Sequence, residues 1–359
     1  MRAIATLILI LSTPMAFADF GRHQGTPEQR RAASQWNRTH SPFVKMSRSW
    51  NVAKPFVEFE TSGFVAITGD NAFELPDLRE AIAKNLPSNA TLVIFVGDRS
   101  DVPALKNLYS KYLGSDRLKF LVVPMSYYSN PIWGRDSLPV PVVMQQPAGA
   151  ATPAYGLVDS IYPQNFEPDS AVAQAMGYGM TETGLYFRGG NLLADENANC
   201  FSELASEVAD LDDPEMFFTQ NFGCATVTIL PRRGGIGDID ERLKFLGGMN
   251  VMTDEDSYVQ TLTDKGYVVH KVPRTGANME TYMNSLLING TVFVPQMGRA
   301  NDADALSAYR AMGFNAVGVY TRQLADQGNG NIHCVTMNYP VGTFTASPLG
   351  ADFIHFAQR

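Results

Sequence analysis

Cys334 closes a glycine-rich turn, Gly328-Asn329-Gly330-Asn331-Ile332-His333, and is followed by Val335-Thr336 at the start of a short β-branched run. Glycine permits positive φ and close approach of backbone to a ligand. A thiol at the mouth of such a turn is therefore expected to reach a substrate without being buried. Its thiolate is the nucleophilic form, and a neighbouring cation favours it. Three other clusters hold side chains of use beside such a nucleophile: Trp133-Gly134-Arg135-Asp136, the Gly189-Gly190-Asn191 turn after Arg188, and Gly237-Asp238-Ile239-Asp240-Glu241. Each also has a plain structural reading. They are, in turn, a core tryptophan beside a solvated turn, a tight double-glycine turn, and an acidic helix start favoured by the helix dipole.

The elements that must position these clusters alternate along the chain. Thr91–Val96 is a continuous apolar run and predicts a buried strand; Leu118–Val123, Ala225–Leu230, Tyr267–Val272 and Ala316–Tyr320 predict further strands. Ser285–Val294 predicts a hairpin about Asn289-Gly290. Phe56–Ile67 reads as strand around a Ser-Gly turn. Helices are expected at Pro76–Leu86, Val102–Leu113, Phe201–Ala209 and Asp302–Met312, the last with Asp302 as N-cap. Val140–Asp169 reads as a long loop or hairpin excursion, and 19–54 as a polar arm or short surface helices. The mixture gives an α/β class with no evident domain boundary inside 55–359.

Residues 1–18 read as a secretory signal peptide: Arg2, an apolar Ala3–Leu11, and Ala16-Phe17-Ala18 before Asp19. The expected location is periplasmic or extracellular. Removing that segment makes the net charge of −8 more negative by the one unit of Arg2. This balance disfavours nucleic acid and anionic membrane as partners and mildly favours cationic ligands. Of the three cysteines, Cys200 and Cys224 are close enough in sequence to pair, which would leave Cys334 free; buried thiols throughout, or a bridge to Cys334, are the alternatives.

Taken together and in this order, the clusters resemble the guanidine-modifying (pentein) superfamily, in its agmatine deiminase and Porphyromonas-type peptidylarginine deiminase branch. The matching segments are Trp133–Asp136, Arg188–Asn191, Gly237–Asp240 and Gly328–Thr336, with Thr281-Tyr282-Met283-Asn284-Ser285, Phe293-Val294-Pro295 and Asp302–Leu306 in support. The resemblance implies a pentein α/β propeller of pseudo-fivefold ββαβ repeats, with the active site at the central mouth. It implies hydrolysis of a guanidinium to a ureido group and ammonia, with no metal and no cofactor. Cys334 would attack the guanidinium carbon, and Asp136 and Asp240 would hold the cation by its N–H groups. Trp133, Arg188, Asn191, Asn284 and His333 would line the substrate.

Two positions depart from that pattern. Asp238 stands where the family has its acid/base histidine, and Arg188 stands where it has a glutamate. A carboxylate titrates near ~4 and serves near neutral pH only if burial or neighbouring acids raise it. His333 belongs to the cysteine motif, but in an extended strand it would point away from Cys334. The chain is thus expected to be an exported deiminase acting on an arginine-containing peptide or a small guanidino compound. The alternative is a degenerate relative that binds a guanidinium or a protein partner without turnover.

Overall fold

Among the described residues, four of the five β-sheets repeat one local order: an antiparallel strand pair, a helical crossover, and a return strand parallel to the second. Right-handed helical crossovers are how parallel neighbours are joined. The computed structural model describes residues 26–43, 51–123, 132–150, 152–162, 168–276, 279–342 and 353–355; the signal-peptide reading of 1–18 lies outside them. In chain order the repeats are Val140–Met144, Ala154–Ile161, helix Asp169–Met176 and Gly179–Tyr186; then Leu193–Ala194, Asn199–Glu203, helices Ser206–Ala209 and Pro214–Phe222, and Thr226–Leu230. Leu243–Gly247, Asn250–Thr253, helix Asp256–Asp264 and Val268–Lys271 form the third. Leu286–Ile288, Thr291–Gln296, helix Asp302–Ala311 and Asn315–Tyr320 form the fourth.

The fifth sheet joins the two ends of the chain. Thr336–Pro340 pairs antiparallel with Ser62–Thr68, helix Leu75–Asn85 crosses over, and Thr91–Val96 and Leu118–Val122 continue in parallel. Both faces of this sheet are covered, so Leu92, Val93 and Ile94 are fully buried in succession. Helix Leu75–Asn85 buries Leu78 and Ile82 against it, each side chain contributing roughly 2 kcal/mol.

The apolar runs are strands as expected, and the Asn289-Gly290 turn has positive φ at both residues (47° and 83°). Val140–Asp169 contains the antiparallel pair Val140–Met144 and Ala154–Ile161, the hairpin of the two readings. Three expectations need correction. Phe201 lies in strand Asn199–Glu203, and helix begins only at Ser206, because the run there is buried on the sheet. Ser62-Gly63 is strand rather than turn. The cap residue of helix Asp302–Ala311 is Asn301; Asp302 instead accepts hydrogen bonds from the N–H groups of Gly298 and Arg299. Within 19–54, Pro27–His40 is a helix opened by a Thr26–Gln29 capping box. It docks through buried Asn37, whose amide donates to Tyr186 O and Glu207 O.

Cys200 and Cys224 form a disulfide across 24 residues, and Cys334 is the free cysteine. Closing a loop of that size stabilises by about 3 kcal/mol. Cys200→Ser/Cys224→Ser should lose about that much in urea unfolding; a loss within error would contradict the bridge.

Candidate active site

Each motif cluster occupies the same place in its repeat, the short segment that leads into the first strand. Gly134–Ser137 precedes Val140–Met144, Gly189–Asn191 precedes Leu193–Ala194, and Ile239–Glu241 precedes Leu243–Gly247. Residues 281–285 precede Leu286–Ile288, and the turn at 332–335 precedes Thr336–Pro340. Hydrogen bonds link the five in a circuit. Gly190 N donates to Asp136 Oδ1 (2.9 Å), Ile239 N to Asn191 Oδ1 (3.2 Å), and Thr281 Oγ1 to Glu241 O (2.8 Å). His333 N donates to Asn284 O (3.1 Å) and Arg135 N to Cys334 O (2.9 Å), which returns to the start.

This circuit brings Cys334 to the acids. Its sulfur lies 3.9 Å from Asp240 Oδ2 and receives the Asn284 amide at 3.0 Å, while Asn284 Oδ1 accepts from Cys334 N at 3.2 Å. Gly190 is what allows Asp136 and Asp240 to share this space: a Cβ there would stand 2.9 Å from Asp136 Oδ1 and 3.1 Å from Asp240 Oδ2. Gly330 is needed for a similar reason, since its Cβ would meet the Trp133 ring at 2.5 Å. Trp133 therefore lies against the glycine turn, fully buried.

Three sequence expectations change. Cys334 is fully buried, not displayed at the mouth of its turn. His333 does not face away from it, because 332–335 is a turn rather than extended strand. Both residues reach the same carboxylate, with His333 Nδ1 at 2.6 Å from Asp240 Oδ2. Asn191 spends its side chain on backbone, donating to Glu203 O and accepting from the N–H groups of Glu203 and Ile239.

The two departures from the family pattern are one contact. Arg188 Nη2 lies 2.9 Å from Asp238 Oδ1, and its Nε donates to Glu207 Oε1 at 2.7 Å. A cation and an acid at 188 and 238 replace an acid and a histidine, so the pair keeps opposite partners with their signs exchanged. Glu207, Tyr162 and Glu58 were invisible in the sequence, lying in unremarkable runs. Tyr162 is buried within the influence of Asp136, Arg188, Asp238 and Cys334. Glu58 lies 2.7 Å from His333 Nε2 and 2.8 Å from both Arg135 Nη2 and Lys244 Nζ.

Burial pushes the Cys334 thiol well up, and Asp240, Asp136 and Glu241 add to the push. Without a bound cation the sulfur is protonated at neutral pH. Burial likewise drives Asp238 up; Arg188 opposes this, and Asp136 and Asp240 reinforce it. Against the push of burial, His333, Lys244 and Arg135 hold Glu58 well below the usual carboxylate range. The site is thus an acid-rich enclosure with one sulfur, suited to a planar cation whose N–H groups match carboxylates.

Residues 247–340 match the Porphyromonas-type peptidyl-arginine deiminase family. A Streptococcus mutans protein bearing the name agmatine deiminase is 37% identical over 93 residues, and that match spans 25% of each chain. A solved C. jejuni agmatine deiminase superposes with a TM-score of 0.67 at 15% identity, over 83% of this chain and 99% of that one. The Enterococcus faecalis agmatine deiminase gives 0.65 at 19% identity, over 82% and 98%. The sequence match covers residues 247–340, about a quarter of the chain, and the superposition carries the fold: this stretch is similar to the Porphyromonas-type peptidyl-arginine deiminase family, and the chain shares the fold of the solved agmatine deiminases.

Proposed function

We propose that the protein is an exported guanidine deiminase whose five repeats are set about a common axis, with Cys334 at its centre. The hydrogen-bonded circuit of repeat-entry segments supports that arrangement. The observation that carries the activity is the sulfur of Cys334 held between Asn284 and Asp240, within the field of Asp136. A guanidinium gripped by Asp136 and Asp240 lowers the cost of ionising the thiol. Sulfur then bonds to the guanidinium carbon while the thiol proton passes to Asp240. Collapse breaks one C–N bond, and ammonia leaves carrying a proton, giving an amidino-thioether. Water adds to the same carbon, the C–S bond breaks, and the ureido product leaves with the thiol restored.

Arg188 holds Asp238, so the proton is carried instead by Asp240 with His333 behind it. A solved C. jejuni agmatine deiminase holds its substrate, which supports a small guanidino compound here; export favours the side chain of a peptidyl arginine. The second reading, binding without turnover, draws on the Arg188–Asp238 ion pair, which puts a guanidinium of the chain itself among the acids.

Incubation with a benzoyl-arginine amide, a peptide ending in arginine, and agmatine between about pH 5 and 9 should yield ureido product with one of them. Cys334→Ala should abolish it. Product from none of them, with product gained by Arg188→Glu/Asp238→His, would establish the second reading. The pH dependence has a definite sign. Thiolate ultraviolet absorbance, taken as wild type minus Cys334→Ser, should emerge only above the ordinary thiol range near ~8.5. Low-millimolar guanidinium should move its onset to lower pH, whereas thiolate at neutral pH without a cation would contradict the electrostatics.

A further inference from the structure

His333 stands between two carboxylates. Its Nδ1 lies 2.6 Å from Asp240 Oδ2, the oxygen that is 3.9 Å from the Cys334 sulfur, and its Nε2 lies 2.7 Å from Glu58 Oε1. The ring is buried, with a side-chain exposure of 1%. Its backbone is fixed as well: the N–H donates to Asn284 O, and the carbonyl accepts from Arg135 Nε at 3.4 Å. Glu58 is gripped from two further elements, by Arg135 Nη2 at the first repeat entry and by Lys244 Nζ on strand Leu243–Gly247, each at 2.8 Å. Held by those cations, Glu58 is ionised. A bare ring nitrogen 2.7 Å from an ionised oxygen would set one lone pair against another, so Nε2 carries a hydrogen. The contact is an ion pair rather than an aligned hydrogen bond. What it fixes is the nitrogen that stays protonated, which in turn decides the role of the other. Nδ1 is left as the nitrogen that exchanges a proton, and its partner in that exchange is Asp240. Glu58 itself stands apart from the sulfur. With Arg135, Lys244 and His333 it lines a cavity of about 50 Å³ to which Cys334, Asp136 and Asp240 contribute nothing.

We propose that His333, paired with Asp240, holds the proton in transit, and that Glu58 is the positioning residue that keeps Nδ1 rather than Nε2 as the base. This rests on the deiminase reading above. In the addition step the S–C bond forms and the S–H bond breaks. The thiol proton binds Asp240 Oδ2, while the proton between Oδ2 and Nδ1 settles on Nδ1. The pair then gives one proton to the nitrogen whose C–N bond breaks, and ammonia leaves. Water repeats the exchange, with one proton passing to the pair as the C–O bond forms and one returning to sulfur as the C–S bond breaks. The hydroxyl proton leaves as the carbonyl forms and is taken up by ammonia in solution. The pair ends with the protons it began with, and Glu58 offsets the positive charge that the ring bears in between.

Nitrogen NMR of the full chain, labelled at its five histidines, tests the placement of the hydrogens without turnover. His333→Asn identifies the His333 signals. Its Nε2 should remain an N–H nitrogen from about pH 5 to 9. Glu58→Gln, whose amide cannot satisfy His333, Arg135 and Lys244 together, should move Nε2 toward the bare-nitrogen range. Glu58→Gln/Lys244→Met, which removes one charge of each sign, serves if the single variant does not fold. An Nε2 without hydrogen in the wild type, or an Nε2 signal unmoved in the folded variant, overturns the role of Glu58. Turnover supplies the other half. His333→Asn should lower kcat about a hundredfold and Glu58→Gln about tenfold or more, with KM within about twofold in each. Full activity in His333→Asn, or a loss carried by KM, overturns the proton-holding role. A wild type that forms no ureido product, yet shows the expected Nε2, sinks the deiminase reading and leaves the placement of the hydrogens standing.

Discussion

Carboxylates crowded inside a protein repel one another and lose hydration, and this chain buries Asp136 and Asp240 near the Cys334 sulfur with Asp238 next to both acids. Such a cluster persists only if cations or protons balance it. Three kinds of balance are visible. Arg188 answers Asp238 and Glu207; His333 answers Asp240 and Glu58; Arg135 and Lys244 answer Glu58 from the other side. Beside Cys334, Asp240 Oδ1 has no hydrogen-bond partner among the described residues. Under the proposed function, a cationic ligand would complete the enclosure and the same cation would make the sulfur reactive, so that affinity and activation would be one electrostatic event.

The fold delivers these groups by repetition. A strand entry is a natural place for function, because its backbone is fixed on one side by the sheet and free on the other to turn. Five such entries, each bonded to the next, hold residues nearly 200 apart in sequence within reach of one sulfur (Arg135 N to Cys334 O is the closing bond). Two glycines stand where bulk cannot: Gly190 between two carboxylates, and Gly330 under Trp133.

Much of this was legible in the residue types. Apolar runs gave Thr91–Val96 and the Asn289-Gly290 hairpin directly, since burial on both sheet faces and positive φ leave strong marks. The cysteine and the aspartates stood out by motif. Their partners did not. Glu58 lies in a plain strand connection, and nothing local says that it will meet His333. His333 was misjudged because alternation assumes extended backbone, and a turn places neighbours on the same side. Arg188 and Asp238 looked like two independent losses until the fold joined them, which is long-range information that a single sequence does not display.

The central claim is that the acid enclosure presents a planar cation to Cys334. The most direct measurement compares alkylation of Cys334 by chloroacetamidine and by its neutral analogue chloroacetamide, read by mass spectrometry of the intact chain. The cationic reagent should react faster by about tenfold or more beyond its intrinsic reactivity, and Asp240→Asn should erase most of that preference. Equal rates for the two reagents, or a preference untouched by Asp240→Asn, would contradict the account.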